Sequence, residues 1–179
     1  GYRKIPGKAP MLESLAAAVI LESTWDKRVP FINPMCGSGT LAIEAALIAT
    51  NTAPGLFRSN FGFMHLKSFK PEVWDKMIEE ARAKIIPCDT TIIASDISSD
   101  AVSISKINAR AAGMDSNISF ETKDFRNIDM PQEKGVIILN PEYGERLGEE
   151  AELKQTYSEI GDLFKQKCKG YTGYIFTGN

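Results

Sequence analysis

Residues 136–143 read Val-Ile-Ile-Leu-Asn-Pro-Glu-Tyr, an apolar run that stops at an amide and continues into a proline, a carboxylate and an aromatic ring. An exocyclic amine on a nucleobase is a poor nucleophile, because its lone pair is delocalised into the ring. The Asn140 side-chain oxygen and the Pro141 carbonyl make a pair of acceptors suited to holding the two hydrogens of such an amine. Held that way, the lone pair is pushed back onto nitrogen, toward an electrophile. Tyr143 could stack on the base, a contact worth about 1–3 kcal/mol. Alignment of two reactants supplies much of such a rate gain. The plainer alternative for the same residues is a turn with an incidental tyrosine.

Three other stretches end in chemistry-bearing residues. Residues 33–40 read "NPMCGSGT". Gly37 and Gly39 let the backbone turn tightly and approach a ligand without Cβ interference, and the helix that follows offers unpaired N–H groups at its start. The stretch lacks the lysine of a Walker loop and is not G-x-G-x-x-G, so a simple tight turn stays open. A second run ends at Asp96, whose carboxylate could accept two hydrogen bonds from a ribose diol or could merely cap a helix. A third leads to Asp124, which could accept from an adenine amine with Phe125 against the ring, or could sit in an ordinary turn.

The elements that would position these residues follow from periodicity. Strands are expected at 28–33, 90–96, 117–124, 135–140 and 170–179. Helices are expected at 11–23 (started by Pro10), 40–50, 72–85, 98–113 (capped by Ser98 or Ser99 and stopped by Gly113) and 149–168. Residues 51–70, rich in aromatics with Gly and Asn, read as an irregular insertion that either covers the site or packs on the rest of the protein. Strands alternating with helices predict an α/β fold: a parallel, doubly wound sheet with ligands at the carboxyl ends of its strands.

Composition narrows the reading. The chain has 179 residues, enough for one domain with a full core, and a net charge of −2. It carries no global basic footprint, so any nucleic-acid contact must be local or come from another domain. Arg3, Lys4, Arg58, Lys67 and Arg146 are candidates, against the alternative of scattered surface charge. Cys36, Cys88 and Cys168 are too far apart to suggest a disulfide framework, which fits a reducing, cytoplasmic setting. A single histidine, His65, excludes a zinc cluster of standard spacing, and no metal is expected. No apolar run reaches the roughly 18 residues of a membrane span. Cys36 has no neighbouring base to activate it and reads as a small packing residue. Trp25 and Trp74 read as core or interface residues.

Taken together, "NPMCGSGT", Asp96, Asp124 and "NPEYGERLG" resemble the S-adenosylmethionine-dependent amino-methyltransferases of the N-P-P-Y type. The closer similarity is to the RlmL-like family, which methylates N2 of a guanine in 23S ribosomal RNA and whose members are often labelled N6-adenine-specific DNA methylases. "GYRKIPGKAPMLESLAAAVI", "APGLFR" (53–58) and "INARAAG" (107–113) extend the likeness over nearly the whole chain. It implies a Rossmann-like methyltransferase domain spanning 1–179 and S-adenosylmethionine as cofactor. Asn33, Pro34, Cys36, Gly37, Ser38, Gly39 and Thr40 would form the loop under its methionine part. Asp96 would hold the ribose and Asp124 the adenine amine, while Asn140, Pro141 and Tyr143 grip the base. Residues 8–13 match a motif expected near the methionine end. The likeness also implies that the chain is a piece of a longer protein, without an N-terminal THUMP and ferredoxin-like RNA-binding region and without the last strands, 6 and 7.

Two positions depart from the pattern. Asn33 stands where the family usually has Asp, removing a negative charge near the cofactor's amino group. Glu142 stands where a second proline is usual, which loosens the loop. Its carboxylate either accepts from the guanine N1–H or faces solvent. The expected chemistry is direct in-line methyl transfer to an unpaired or flipped-out base. Rival readings are a DNA-adenine or protein-glutamine methyltransferase, and a non-catalytic scaffold for RNA or protein.

Overall fold

The computed structural model describes residues 1–6, 10–141 and 150–177. Its five strands are short and lie where the apolar runs predict them: β1 (Phe31–Pro34), β2 (Ile92–Asp96), β3 (Ser119–Thr122), β4 (Val136–Leu139) and β5 (Thr172–Ile175). All pair in parallel, in the order β3-β2-β1-β4-β5. β1 is central, with Phe31 opposite Ile92 on one side and opposite Val136 on the other.

The helices are α1 (Glu13–Glu22), α2 (Thr40–Ala49), α3 (Pro71–Ala83), α4 (Ser99–Ala111) and α5 (Glu150–Gln166). Alternation along the strands divides the core in two. Phe31, Ile92, Ala94, Val136 and Ile138 pack with Ala16 and Ile20 of α1, Leu41 and Ala45 of α2, and Ala109 of α4. Ile32, Ile137 and Leu139 pack on the opposite face with Ile160 and Leu163 of α5. The sheet is thus covered on both faces, as a parallel sheet requires. α2 is buried at nearly every position, which explains a sequence that is apolar all round.

Three local expectations are refined. α1 begins at Glu13 with an extended Leu12 before it, so Pro10 precedes the helix and does not start it. The Met11 carbonyl is instead taken by the Arg3 guanidinium. α4 is capped by Ser98, whose hydroxyl accepts from the Ala101 N–H at 3.2 Å, and the chain leaves it through Gly113 at φ +66°. Residues 51–70 form two single 3-10 turns, Pro54–Phe57 and Gly62–His65. Phe61 and Phe63 from this insertion each lie 5.2 Å, centroid to centroid, from Trp74 of α3. The insertion therefore packs on α3. Trp25 is core, with its ring 5.0 Å from Phe31 and its indole N–H donating to the Val29 carbonyl.

Two glycines test this packing in opposite directions. A Cβ on Gly135 would sit 2.0 Å from the Pro30 carbonyl oxygen, backbone that cannot yield. Gly135→Ala is expected to destabilise the fold by about 1–3 kcal/mol. Among the described residues, a Cβ on Gly161 within α5 would meet nothing within 4 Å. Gly161→Ala should stabilise by about 0.5–1 kcal/mol. Urea unfolding of both variants beside the parent reads the two shifts.

Candidate functional site

Strand order reverses between β1 and β4, and open α/β sheets hold ligands outside the carboxyl ends of the strands at such a point. The β1–β4 ladder runs through Ile32 and Ile137. One residue on, a side chain continues it: Asn33 Nδ2 donates to the Ile138 carbonyl at 3.0 Å. An ionised aspartate at 33 could not make this bond, because it has no hydrogen to give. The Asn33 departure therefore has a structural use. Asn33 is 1% exposed, and its Oδ1 is buried with no hydrogen-bond partner among the described residues. Asn140, just past β4, carries a second such oxygen.

Beyond β1 the backbone turns through three left-handed residues, Met35 at φ +57°, Gly37 at +54° and Gly39 at +82°. The two glycines serve different purposes. A Cβ on Gly39 would lie 2.0 Å from Ser105 Oγ, so α4 presses directly on the turn there. A Cβ on Gly37 would meet no described atom within 4 Å, which leaves open space above its backbone. No side chain caps the first turn of α2. Cys36 is anchored by its N–H to the Ser95 carbonyl at 2.9 Å. Its thiol is buried, and burial pushes its pKa up to about 12, as befits a packing residue.

Asp96 joins two tips. One carboxylate oxygen accepts from the Gly37 N–H at 3.0 Å and the other from the Ser98 N–H at 3.0 Å. Each oxygen keeps a further acceptor site, so a turn-bracing role and a diol-binding role are compatible. The tip of β3 lies alongside, with the Lys123 N–H donating to the Asp96 carbonyl at 2.8 Å. The tips of β3, β2, β1 and β4 thus share one rim, with Gly37 and Asn140 on the same side of the sheet.

Asp124 differs from its expected state. It receives the Arg126 guanidinium at 2.9 and 2.5 Å and the Arg126 N–H at 2.9 Å. These hydrogen bonds hold its carboxyl below the usual carboxylate range. Arg126 also reaches Glu159 of α5 at 3.3 Å. An incoming amine would share Asp124 with this ion pair. Phe125 is partly buried against the α5-side core, so it is a packing residue here. Arg3, expected as a surface cation, is partly buried and donates to Thr40 Oγ1 at 3.1 Å as well as to the Met11 carbonyl. Arg58 lies over the Phe61 ring, 4.9 Å from its centroid, and donates to the Asn60 carbonyl. Lys4 and Lys67 are exposed. Lys8, Glu142, Tyr143 and Arg146 lie outside the described residues.

The sequence reading missed a polar cluster behind the turn. Glu44 of α2 is buried and accepts from the Tyr2 hydroxyl at 2.8 Å. It also missed Asn108 of α4, which is wholly buried. A polar residue on the stripe Val102, Ser105, Asn108 and Ala112, spaced for one helix face, is the signal that could have revealed it. Among the described residues, no three His, Cys, Asp or Glu side chains are grouped to hold a metal ion, and no helix is long and apolar enough to cross a membrane.

The RMKL-like methyltransferase domain model matches residues 1–179. The ribosomal RNA large subunit methyltransferase K/L of Aliivibrio salmonicida is 44% identical over 185 residues, covering 100% of this chain and 26% of its own length. The protein of that name from Shewanella woodyi is 43% identical over 176 residues, covering 96% and 25%. The chain spans about a quarter of these relatives. Among solved structures, SMU.472, assigned as a methyltransferase and complexed with S-adenosylhomocysteine (SAH), superposes with a TM-score of 0.91 at 33% identity, covering 100% of this chain and 46% of that one. A Listeria monocytogenes protein predicted to be an N6-adenine-specific DNA methylase gives 0.87 at 37% identity, covering 98% and 46%.

The buried carboxyl of Glu44 has a measurable consequence. Burial, reinforced by the nearby charge of Glu13, pushes its pKa up to about 6 against the pull of the Tyr2 hydrogen bond. A carboxyl raised on folding contributes stability that is full below its unfolded value and lost as pH rises through its folded one. Stability should therefore fall between about pH 4.5 and pH 6. Glu44→Gln keeps an acceptor for Tyr2 and removes the charge. Its thermal unfolding midpoint should exceed the parent's at pH 7.5, and the slope across that window should flatten.

Proposed function

This chain belongs to the RMKL-like methyltransferase domain family, and on that premise we propose that its strand-tip crevice binds S-adenosylmethionine and serves methyl transfer to N2 of a guanine in large-subunit ribosomal RNA. The observation that carries the reading is the alignment of the β2, β1 and β4 tips by two bonds, Gly37 to Asp96 and Asn33 to Ile138. That alignment sets an acceptor for a ribose, an open backbone turn and the Asn140 amide oxygen side by side. The residues fit the group: Asp96 has acceptor sites left for a diol, the space over Gly37 is open, and two buried amide oxygens have no donor among the described residues. Asp124 fits less simply, because Arg126 already engages both of its oxygens.

When bound, the cofactor supplies a methyl group on a sulfonium, which carries its own leaving group. The chain's part is positioning and polar support. Asp96 holds the ribose, and the backbone of residues 37–40 lines the methionine side. Asn140 Oδ1 and the Pro141 carbonyl each accept one hydrogen of the target amine. As nitrogen gains its fourth bond it becomes cationic, these two fixed acceptors interact with it more strongly than with the neutral amine, and one of its hydrogens would then leave to solvent as a proton. Interactions that grow toward the transition state are the ones that accelerate the step. Tyr143 stacks on the base and keeps the amine in line. A paired base is unreachable, so the target is an unpaired or extruded guanine. The same acceptor pair suits the N6 amine of adenine, the chemistry ascribed to the Listeria relative. The product therefore decides between them.

Incubation of the intact protein with S-adenosylmethionine and undermethylated large-subunit ribosomal RNA, followed by nucleoside mass spectrometry, should yield N2-methylguanosine. N6-methyladenosine in its place refutes the guanine assignment, and the absence of any methylated nucleoside refutes the enzyme. Asn140→Ala should lower kcat about 10²–10³-fold, with SAH affinity within about twofold of the parent. Asp96→Ala should show the reverse pattern, weak SAH binding by calorimetry.

A further inference from the structure

The chain's first residues form a strap over α2 and α4, and Asn108 is where it meets the glycine turn. Asn108 sits one helical turn beyond Ser105, the residue against which Gly39 is pressed. Its carboxamide is 0% exposed and fully used. Nδ2 donates to the Ser38 carbonyl at 3.1 Å, within the turn, and to the Ile5 carbonyl at 3.0 Å. Oδ1 accepts from the Lys4 N–H at 2.9 Å and the Ile5 N–H at 3.1 Å. One side chain thus grips the strap by three bonds and the turn by one. Two further contacts tie the strap to α2: Arg3 to Thr40, where the turn enters the helix, and Tyr2 to Glu44 further along it. Among the described residues, the hydrogen bonds that hold residues 4–5 to α4 all run through the residue that holds Ser38.

We infer that Asn108 is a positioning residue for the cofactor turn, and that through it the strap at residues 2–5 and the turn at residues 37–40 respond to cofactor as one unit. The inference rests on the reading of that turn as the cofactor site. Asn108 touches neither cofactor nor base in this scheme; it acts by fixing the Ser38 carbonyl and, with it, the backbone path over which the cofactor lies. A ligand that stabilises the turn then stabilises the strap, because the two share one buried amide whose groups have no water to fall back on.

Amide hydrogen exchange on the intact protein, with and without SAH, tests this without any substitution. Saturating SAH should slow exchange of the Gly37 and Gly39 amides and of the Lys4 and Ile5 amides together, each by at least tenfold. Slowed exchange at the turn with the strap unchanged overturns the coupling and leaves the cofactor reading intact. Failure of SAH to bind at all overturns both. Asn108→Ala supplies the second arm. It should raise the SAH Kd and the KM for S-adenosylmethionine tenfold or more, with kcat at saturating cofactor within about threefold. Exchange of the Ile32 and Ile137 amides should stay at parental rates, showing that the sheet is folded. A Kd within twofold of the parent in that folded variant overturns the role of Asn108.

Discussion

The Asn33 amide donating to the Ile138 carbonyl holds the sheet closed at the point where its strand order reverses. A switch point is the place where a parallel sheet is most inclined to open, because the chains leaving the two strands depart to opposite faces. Here α2 leaves β1 toward one core and α5 follows β4 on the other. Phe31 and Ile32 pair with Val136 and Ile137, and the next link is made by a side chain. This bond ties the end of β1 to the end of β4, and so brings the glycine turn and the Asn140–Pro141 tip to the same end of the sheet. The choice of amide over carboxylate at position 33 thus trades a negative charge in the crevice for a donor in the sheet.

A second constraint is layered on the first. The turn after β1 is left-handed at three of its residues, two of them glycines that adopt this conformation freely, so its path has to be fixed by what surrounds it. Those surroundings come from three directions. Asp96 fixes the Gly37 N–H, Ser105 abuts Gly39, and Asn108 holds the Ser38 carbonyl. The two glycines look equivalent in the sequence, yet one answers to a neighbouring helix and the other faces open space. α4 thus does more than cover the sheet: its face at Ser105 and Asn108 is the seat of the turn.

Much of the fold was legible because its strands are short apolar runs bounded by polar residues and glycine, with helices of clear period between them. The tips of β1 to β4 were legible to within one or two residues, because a strand's end is approximately set once the strand is. What the sequence concealed lies in partners distant along the chain. Nothing local distinguishes Arg3 from a solvent-facing cation; its burial comes from Thr40, 37 positions away. Asn108 reads as an ordinary helix residue until Lys4 and Ile5 arrive from 103–104 positions away. Asp124 shows a different failure. The arginine that engages it is only two residues on, but the pairing depends on a 3-10 turn over Phe125–Asn127 that periodicity does not report. Pro10 was credited with starting α1 by propensity alone, whereas Arg3 draws the Met11 carbonyl away and the helix begins later.

Among the described residues, the strand tips bring acceptors together: Asp96 contributes carboxylate oxygens, Asn33 and Asn140 contribute amide oxygens without a partner, and Pro141 has no N–H to give, while the start of α2 contributes backbone N–H donors. Among the described residues, Arg3 is engaged by Thr40 and Met11 with its Nε left without a partner, and Arg126 is engaged by Asp124 and Glu159. A ligand rich in hydrogens, with a diol, an ammonium and a purine amine, would match the acceptors at Asp96, Asn33 and Asn140. The same bias applies to the second substrate. On the proposed reading, the Asn140 and Pro141 oxygens select the reacting nitrogen, and contacts to the nucleic-acid backbone are a separate task for other residues.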